Sequence, residues 1–113
     1  MPTTRRGSSG LYELHADMCK VFSNEMRLRI LHALRGSEKS VADIAEVLKV
    51  PLGTVSPHLL MMKRRHVLVS RKAGTQVFYR IANPKILDAF DLIQRILCER
   101  MEEEAAMARR GRP

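Results

Sequence analysis

A proline-centred break between two helical patterns is the feature that most limits how this chain can fold. Before the break, apolar residues recur at helical spacing: Val41, Ile44, Ala45, Val47 and Leu48. Ser40 precedes them as the predicted N-cap. Pro51 cannot continue a helix and Gly53 tolerates unusual backbone angles, so the first helix ends before them. A second helix is predicted from about residue 53 or 54 to residue 65, with a buried side formed by Val55, Leu59, Leu60 and Met62. Two short helices around a tight turn indicate a helix-turn-helix.

A β-hairpin is predicted directly after the second helix. Residues 67–69 and 76–81 are rich in β-branched and aromatic side chains, and Ala73-Gly74-Thr75 between them is typical of a turn. The second helix of a helix-turn-helix can lie in a DNA major groove, and a basic hairpin beside it suits contacts to phosphates or the minor groove. The residues predicted to contact DNA are Thr54, Ser56, Pro57, His58, Lys63, Arg64, Arg71, Lys72 and Gln76. The alternative is that they form only a solvated surface.

Length and charge narrow the class of protein. The 113 residues suggest one domain with a modest core, and the net charge of +8 with a pI of about 10.2 suits a polyanionic partner. No apolar run approaches the roughly 18 residues of a membrane span, and the first ten residues lack the apolar core of a secretion signal. A cytoplasmic protein without a membrane partner is therefore expected, in which two reduced cysteines do not form a disulfide framework.

An enzyme is not expected. The sequence shows no Gly-rich phosphate loop, no nucleophile with a base at supporting spacing and no paired carboxylates in an apolar setting. No cofactor is predicted either.

The two ends of the chain predict a subunit interface. Residues 1–10 are expected to be a disordered arm, residues 11–103 a single domain and residues 104–113 a charged tail. The first helix is predicted from Leu11, and the last has Asn83 as its N-cap and Pro84 at its first position. Both helices carry more apolar residues than one small core requires, which favours a two-fold dimer, with intramolecular packing alone as the alternative.

Several stretches together resemble the winged-helix repressors of the ArsR/SmtB family: FSNEMRLRILHAL, IAEVLKV, TVSPHL and RKAGTQVFYRI, followed by Asn83-Pro84 and a long helix. The resemblance covers about residues 11–101. It implies a mostly α, winged helix-turn-helix fold with about five helices and a β-hairpin wing, dimerised through the first and last helices. It also implies a repressor on a two-fold symmetric operator, released by an effector. His66 departs from it, because members often carry Gly there, where a left-handed helix terminus suits Gly better.

The resemblance does not identify the effector. The CxC pair that binds metals in some members is absent, since Ala42-Asp43-Ile44-Ala45 stands in its place, and the final helix has no His. Cys98 matches the second sensing cysteine of members that respond to reactive sulfur species, but their first would fall at His32. Cys19, one helix earlier, is the predicted substitute.

Three interpretations of the cysteines stay open. Cys19 and Cys98 form a thiol switch, or they are inert side chains that pack as small hydrophobes. In the third, His15 and Cys19, four residues apart on one helix face, bind a soft metal together with Cys98 of the other subunit. For the chain as a whole, a non-specific architectural DNA-binding module is the second hypothesis beside a repressor.

Overall fold

The computed structural model describes the backbone of residues 3–111 and the side chains from residue 10 to residue 111. Within these residues, the elements are α1 (Thr3–Val21), α2 (Glu25–Ala33), β1 (Lys39–Ser40), α3 (Val41–Leu48), α4 (Leu52–Arg64), β2 (Leu68–Ala73), β3 (Gln76–Ile81) and α5 (Lys85–Arg110). The predicted mostly α, winged helix-turn-helix with five helices is confirmed. The chain divides into two units, Met1–Asn83 and Pro84–Pro113, of which the second consists of α5.

The core of the first unit lies between the helix-turn-helix, α2 and the sheet. Its fully buried side chains are Val21, Ile30, Leu31, Leu34, Ile44, Val55, Leu59, Met62, Val67 and Leu68. Two residues predicted on the apolar sides of α3 and α4 are instead exposed: Val47 by 53% and Leu60 by 46%. On α4 the reason is geometric. Val55, Leu59 and Met62 share one face, and Leu60 is rotated by about 100° from Leu59.

Side-chain caps fix the starts of α3 and α2. The Ser40 hydroxyl accepts a hydrogen bond of 3.1 Å from the backbone N–H of Asp43, which confirms it as the N-cap of α3. Asn24 caps α2 in the same way through the N–H of Arg27, also at 3.1 Å. For α5 the prediction was off by one residue, because Pro84 rather than Asn83 is the N-cap and the helix begins at Lys85.

Both terminal helices are longer than predicted. The helix α1 begins at Thr3 rather than at Leu11, so the backbone of residues 3–10 is helical where a disordered arm was expected. The helix α5 runs to Arg110, through most of the predicted charged tail. Adding residues to the end of an existing helix costs less than starting a new helix, because the nucleus is already formed. Residues 1, 2, 112 and 113 lie outside the described part of the chain.

The wing is a three-stranded antiparallel sheet in the order β1-β3-β2. The predicted hairpin pairs Ala73 with Gln76, which leaves Gly74-Thr75 as a two-residue turn. Gly74 has a φ of +63°, a conformation that this turn requires and that glycine adopts without strain. The strand β1 was not predicted. It has only two residues, and it places Lys39 opposite Tyr79 and Ser40 opposite Phe78.

Left-handed residues end both helices of the helix-turn-helix. After α4, His66 has a φ of +65°, and the N–H groups of His66 and Val67 donate to the carbonyls of Lys63 and Met62, each at 3.0 Å. These two hydrogen bonds together form a Schellman motif, which usually has glycine at the left-handed position. The unfavourable conformation expected for His66 is thus observed. Lys49, with a φ of +59°, ends α3 in the same way.

Among the described residues, no helix is both long enough and apolar enough to cross a lipid bilayer.

Candidate nucleic-acid interface

The helix α4 presents one face away from the core. Because Val55, Leu59 and Met62 anchor the helix, the residues on its opposite side are turned outward. The central residues of this outward face are exposed and follow one another at helical spacing: Gly53, Pro57, Leu60 and Arg64. Thr54 and Lys63 lie beside them and are also exposed. Four of the predicted DNA contacts, Thr54, Pro57, Lys63 and Arg64, are therefore accessible together.

Two other predicted contacts on α4 already make hydrogen bonds within the protein. The Ser56 hydroxyl donates to the Leu52 carbonyl at 3.1 Å, one helical turn back, and only its lone pairs remain for another donor. His58 is partly buried, and its Nδ1 lies 3.3 Å from an Nη1 of Arg27. Neither side chain projects freely from the outward face.

The contact with Arg27 sets the tautomer of His58, and burial together with this contact keeps the ring neutral. A guanidinium has only donors, so Nδ1 accepts and the neutral ring carries its proton on Nε2. Burial of the imidazole, followed by the positive charge of Arg27, lowers the pKa of His58 below its usual value. The ring is therefore a neutral acceptor that faces the protein rather than a cation that faces solvent.

Arg27 connects α4 to the end of α1. Its Nε donates to the Val21 carbonyl at 3.1 Å and its Nη2 donates to the Lys20 carbonyl at 2.7 Å, both at the C-terminal end of α1. The C-terminal end of α4 has a second link, because Arg65 donates to Asp17 of α1 at 2.8 Å. The orientation of the outward face is thus fixed relative to α1 at two places.

The wing carries one engaged arginine and two exposed polar side chains. Arg71 donates from Nε to both carboxylate oxygens of Glu38, at 3.0 and 2.9 Å, and from Nη2 at 2.8 Å. Its guanidinium also lies 4.7 Å from the ring centre of Phe78, its cross-strand neighbour. These contacts hold the pKa of Glu38 below its usual value and raise the pKa of Arg71. Lys72 and Gln76, both predicted DNA contacts, are exposed.

A groove of about 250 Å³ joins the wing tip to the helix-turn-helix. Its lining combines the starts of α3 and α4 with the hairpin turn: Ser40, Val41, Ala42, Leu52, Ser56, Thr75, Gln76 and Val77. Gln76 is thereby brought next to the beginning of α4, which the sequence order alone did not indicate.

The two predicted sensing cysteines are both exposed. Cys19 lies near the end of α1, and Cys98 lies on α5 in the other unit. Across residues 3–111, no group of three or more His, Cys, Asp or Glu side chains is arranged to hold a metal ion within the chain. The predicted set of His15, Cys19 and Cys98 draws on two subunits and stays a prediction.

Sequence reasoning missed Glu38, Arg27 and Leu60 as residues that shape the interface. Glu38 and Arg71 are 33 residues apart, and Arg27 and His58 are 31 apart, so no local pattern joins them. For Leu60, helical spacing was a usable signal. It lies seven residues after Gly53 and three after Pro57, on the face opposite to Val55.

The family profile described as bacterial regulatory protein, arsR family, matches residues 24–65, which extend from the N-cap of α2 to the end of α4. The cadmium resistance transcriptional regulatory protein CadC of Listeria innocua is 42% identical over 74 residues, and the match covers 65% of this chain but only 62% of that relative. The transcriptional repressor PagR of Bacillus anthracis is 34% identical over 82 residues, which cover 72% of this chain and 82% of PagR.

Solved structures agree with the sequence relatives. One is the solution structure of the homodimeric winged helix-turn-helix DNA-binding domain of Mb0332 from Mycobacterium bovis, a possible ArsR-family transcriptional regulator. It superimposes with a TM-score of 0.77 at 31% identity and covers 85% of this chain and 89% of that one. The chain therefore belongs to the arsR family of bacterial regulatory proteins.

Proposed function

We propose that this protein is a homodimeric transcriptional repressor that binds a two-fold symmetric operator and leaves it when an effector acts. The observation that carries the proposal is the outward face of α4, which is exposed, ends in Arg64 and lies beside a wing with Lys72 and Gln76. A helix anchored on one side and open on the other can enter a major groove. The relatives are named as transcriptional regulators, one of them as a repressor.

The DNA contacts divide into two kinds in this proposal. Lys63, Arg64 and Lys72 neutralise phosphates, together with Arg71 where it is released from Glu38. Thr54, Pro57 and Gln76 face base edges or the sugar-phosphate walls of the groove. Ser56 and His58 would reach them only where their hydrogen bonds to Leu52 and Arg27 break. Lys72→Ala should weaken binding to all sequences by a similar factor, and Thr54→Ala should change the relative affinities for different sites.

The apolar surface of each terminal helix supports the dimer. The helix α1 exposes Leu11, Tyr12 and Leu14, and the helix α5 exposes Leu92, Ile93, Ile96, Leu97, Met101 and Met107. Contiguous apolar faces of this kind are typical of subunit contacts. The Mb0332 domain is homodimeric. Sedimentation equilibrium at micromolar concentration should give twice the mass of 12.9 kDa, and a mass of one chain would contradict this part of the proposal.

A binding titration tests the repressor function directly. Fluorescence anisotropy compares the duplex upstream of the protein's own coding sequence with a scrambled duplex at about 0.15 M salt, where specific sites are typically bound at least about 1,000-fold more tightly. A footprint should show a bounded site with two-fold symmetry. Equal affinity for both duplexes and diffuse protection would instead favour a non-specific architectural module, for which the net charge of +8 is sufficient.

For the effector, we propose a thiol switch at Cys19 and Cys98, supported by the exposure of both side chains. Hydrogen peroxide would oxidise the two thiols to a disulfide and be reduced to two waters, so the linked chains lose two hydrogens. Peroxide should release operator DNA from the parent but not from Cys98→Ser. If peroxide leaves binding unchanged in the parent, the thiol switch is excluded. Release by cadmium in the absence of oxidant would favour the metal site of His15, Cys19 and Cys98.

A further inference from the structure

The outward face of α4 is apolar where it should read bases. In chain order its central residues are Gly53, Pro57 and Leu60, and the first charge in that line is Arg64. Leu60 is 46% exposed, although the flanking Leu59 is fully buried. Large exposed apolar side chains on a small domain often mark a contact surface. A DNA site that fits this face must therefore present an apolar group to Pro57 and Leu60.

The neighbouring hydrogen-bonding groups are partly committed elsewhere. The Ser56 hydroxyl donates to the Leu52 carbonyl, and the His58 Nδ1 accepts from Arg27. The long amide or guanidinium side chains that read adenine or guanine bidentately do not occur in the first two turns of α4. Base reading by this part of the helix therefore depends on shape and apolar contact more than on direct hydrogen bonds.

The major groove exposes one apolar group among the four bases, the C5 methyl of thymine. We propose that Pro57 and Leu60 recognise thymine methyl groups in each half of the operator. Gly53 has no side chain and leaves space at the start of this line, with nothing within 4 Å of the position of a Cβ. The proposal rests on the proposed function, because it assumes that α4 enters the major groove.

The charge distribution and the length of α4 both fit a DNA major groove. Lys63 and Arg64 follow the apolar residues at the end of the same helix, where they suit the phosphates at the edge of the groove. From Gly53 to Leu60 the helix rises about 10 Å, since each residue adds about 1.5 Å. This rise equals about three base-pair steps of about 3.4 Å along one strand, so the site spans about four neighbouring base pairs per subunit.

Deoxyuridine gives the sharpest test, because it removes only the methyl group of thymine and keeps base pairing. Each thymine of the footprinted operator is replaced singly, and the Kd is measured by anisotropy. At one or two positions per half-site we expect binding about fourfold weaker, the ratio that corresponds to one buried methyl-sized group. Replacement of thymines outside the footprint should change nothing. At the position that Leu60 contacts, Leu60→Ala should bind the thymine and deoxyuridine operators equally, while the position that Pro57 contacts should keep its preference.

Val47→Ala is the matched control, because Val47 is an equally exposed apolar residue on α3. It should keep the preference for thymine. Leu60→Gln, which keeps most of the side-chain volume, should lose the preference at the position that Leu60 contacts. Circular dichroism verifies that each variant is folded. If the operator is bound specifically but no deoxyuridine position weakens it, the inference fails and the proposed function stands. If no operator is distinguished from scrambled DNA, both fail. If both Leu60 variants retained the parent's thymine preference at every position, the inference would also be overturned.

Discussion

Replacement of Glu38 by glutamine should strengthen binding to all DNA. In the free protein the carboxylate of Glu38 makes three contacts of 2.8–3.0 Å with the guanidinium of Arg71. This pairing offsets the charge that the wing would otherwise offer to a phosphate. Glutamine has almost the same shape and keeps one acceptor oxygen, so Arg71 can stay on the ring of Phe78. The variant therefore changes the charge and leaves the local packing in place.

The salt dependence gives the magnitude. One more phosphate contact adds about 0.9 to the slope of log K against log salt concentration. For a dimer with two wings the added slope is about 1.8. Between 50 and 200 mM salt the variant should therefore lose about twelvefold more affinity than the parent loses. The gain in affinity of Glu38→Gln over the parent should therefore be large at low salt and shrink as salt rises.

The assay is an anisotropy titration on random-sequence duplex at four salt concentrations. Glu25→Gln is the matched control, because its carboxylate pairs with Arg29 on α2 and its loss changes the net charge equally. The double variant Glu38→Gln with Arg71→Ala should lose the added slope. An unchanged slope for Glu38→Gln, or the same increase for Glu25→Gln, would refute the idea that Glu38 restrains Arg71.

Three further predictions concern stability measured by urea unfolding. The lowered pKa of His58 makes the neutral ring favourable in the folded state, so its contribution is complete above the unfolded pKa of about 6.5 and is lost as pH falls through the folded value. His58→Asn, which keeps an acceptor for Arg27, should lose less stability than the parent between pH 7.5 and pH 5; an equal loss would contradict this assignment. His66→Gly should stabilise the fold by about 0.5–1 kcal/mol because it removes the left-handed strain, while His66→Ala should give no gain. Ser40→Ala should cost about 1 kcal/mol through loss of the N-cap bond to Asp43, and a neutral effect would show that the cap is not needed.

The local parts of the fold were predictable because local chemistry determines them. The turn before Pro51, the cap at Ser40 and the hairpin around Gly74 each depend on a few neighbouring residues. The strand β1 escaped prediction because two residues have no periodicity and gain strand structure only by pairing with β3.

The wrong predictions at the candidate interface have a different physical origin. Leu59 and Leu60 are equally apolar, and only the direction of the core decides which of them is buried. The engagement of Arg71 and His58 depends on partners more than 30 residues away, so a list of polar and basic residues could not show which charges are available. The sequence therefore identified the helix and the wing correctly but overestimated how many of their side chains are free.

Arg27 links the end of α1 to α4, the helix proposed to enter the DNA groove. The Lys20 carbonyl that accepts from Arg27 at 2.7 Å belongs to the residue directly after Cys19. N–H···O hydrogen bonds span about 2.7–3.2 Å, so a shift of about 1 Å at this carbonyl would break the bond and leave the guanidinium held at α1 by the Val21 carbonyl alone. The same guanidinium contacts the Nδ1 of His58 on α4, so a guanidinium that turns about its remaining bond would lengthen that contact. If Cys19 is the sensing thiol, its modification acts one residue from this link, and we expect the orientation of α4 to respond to it.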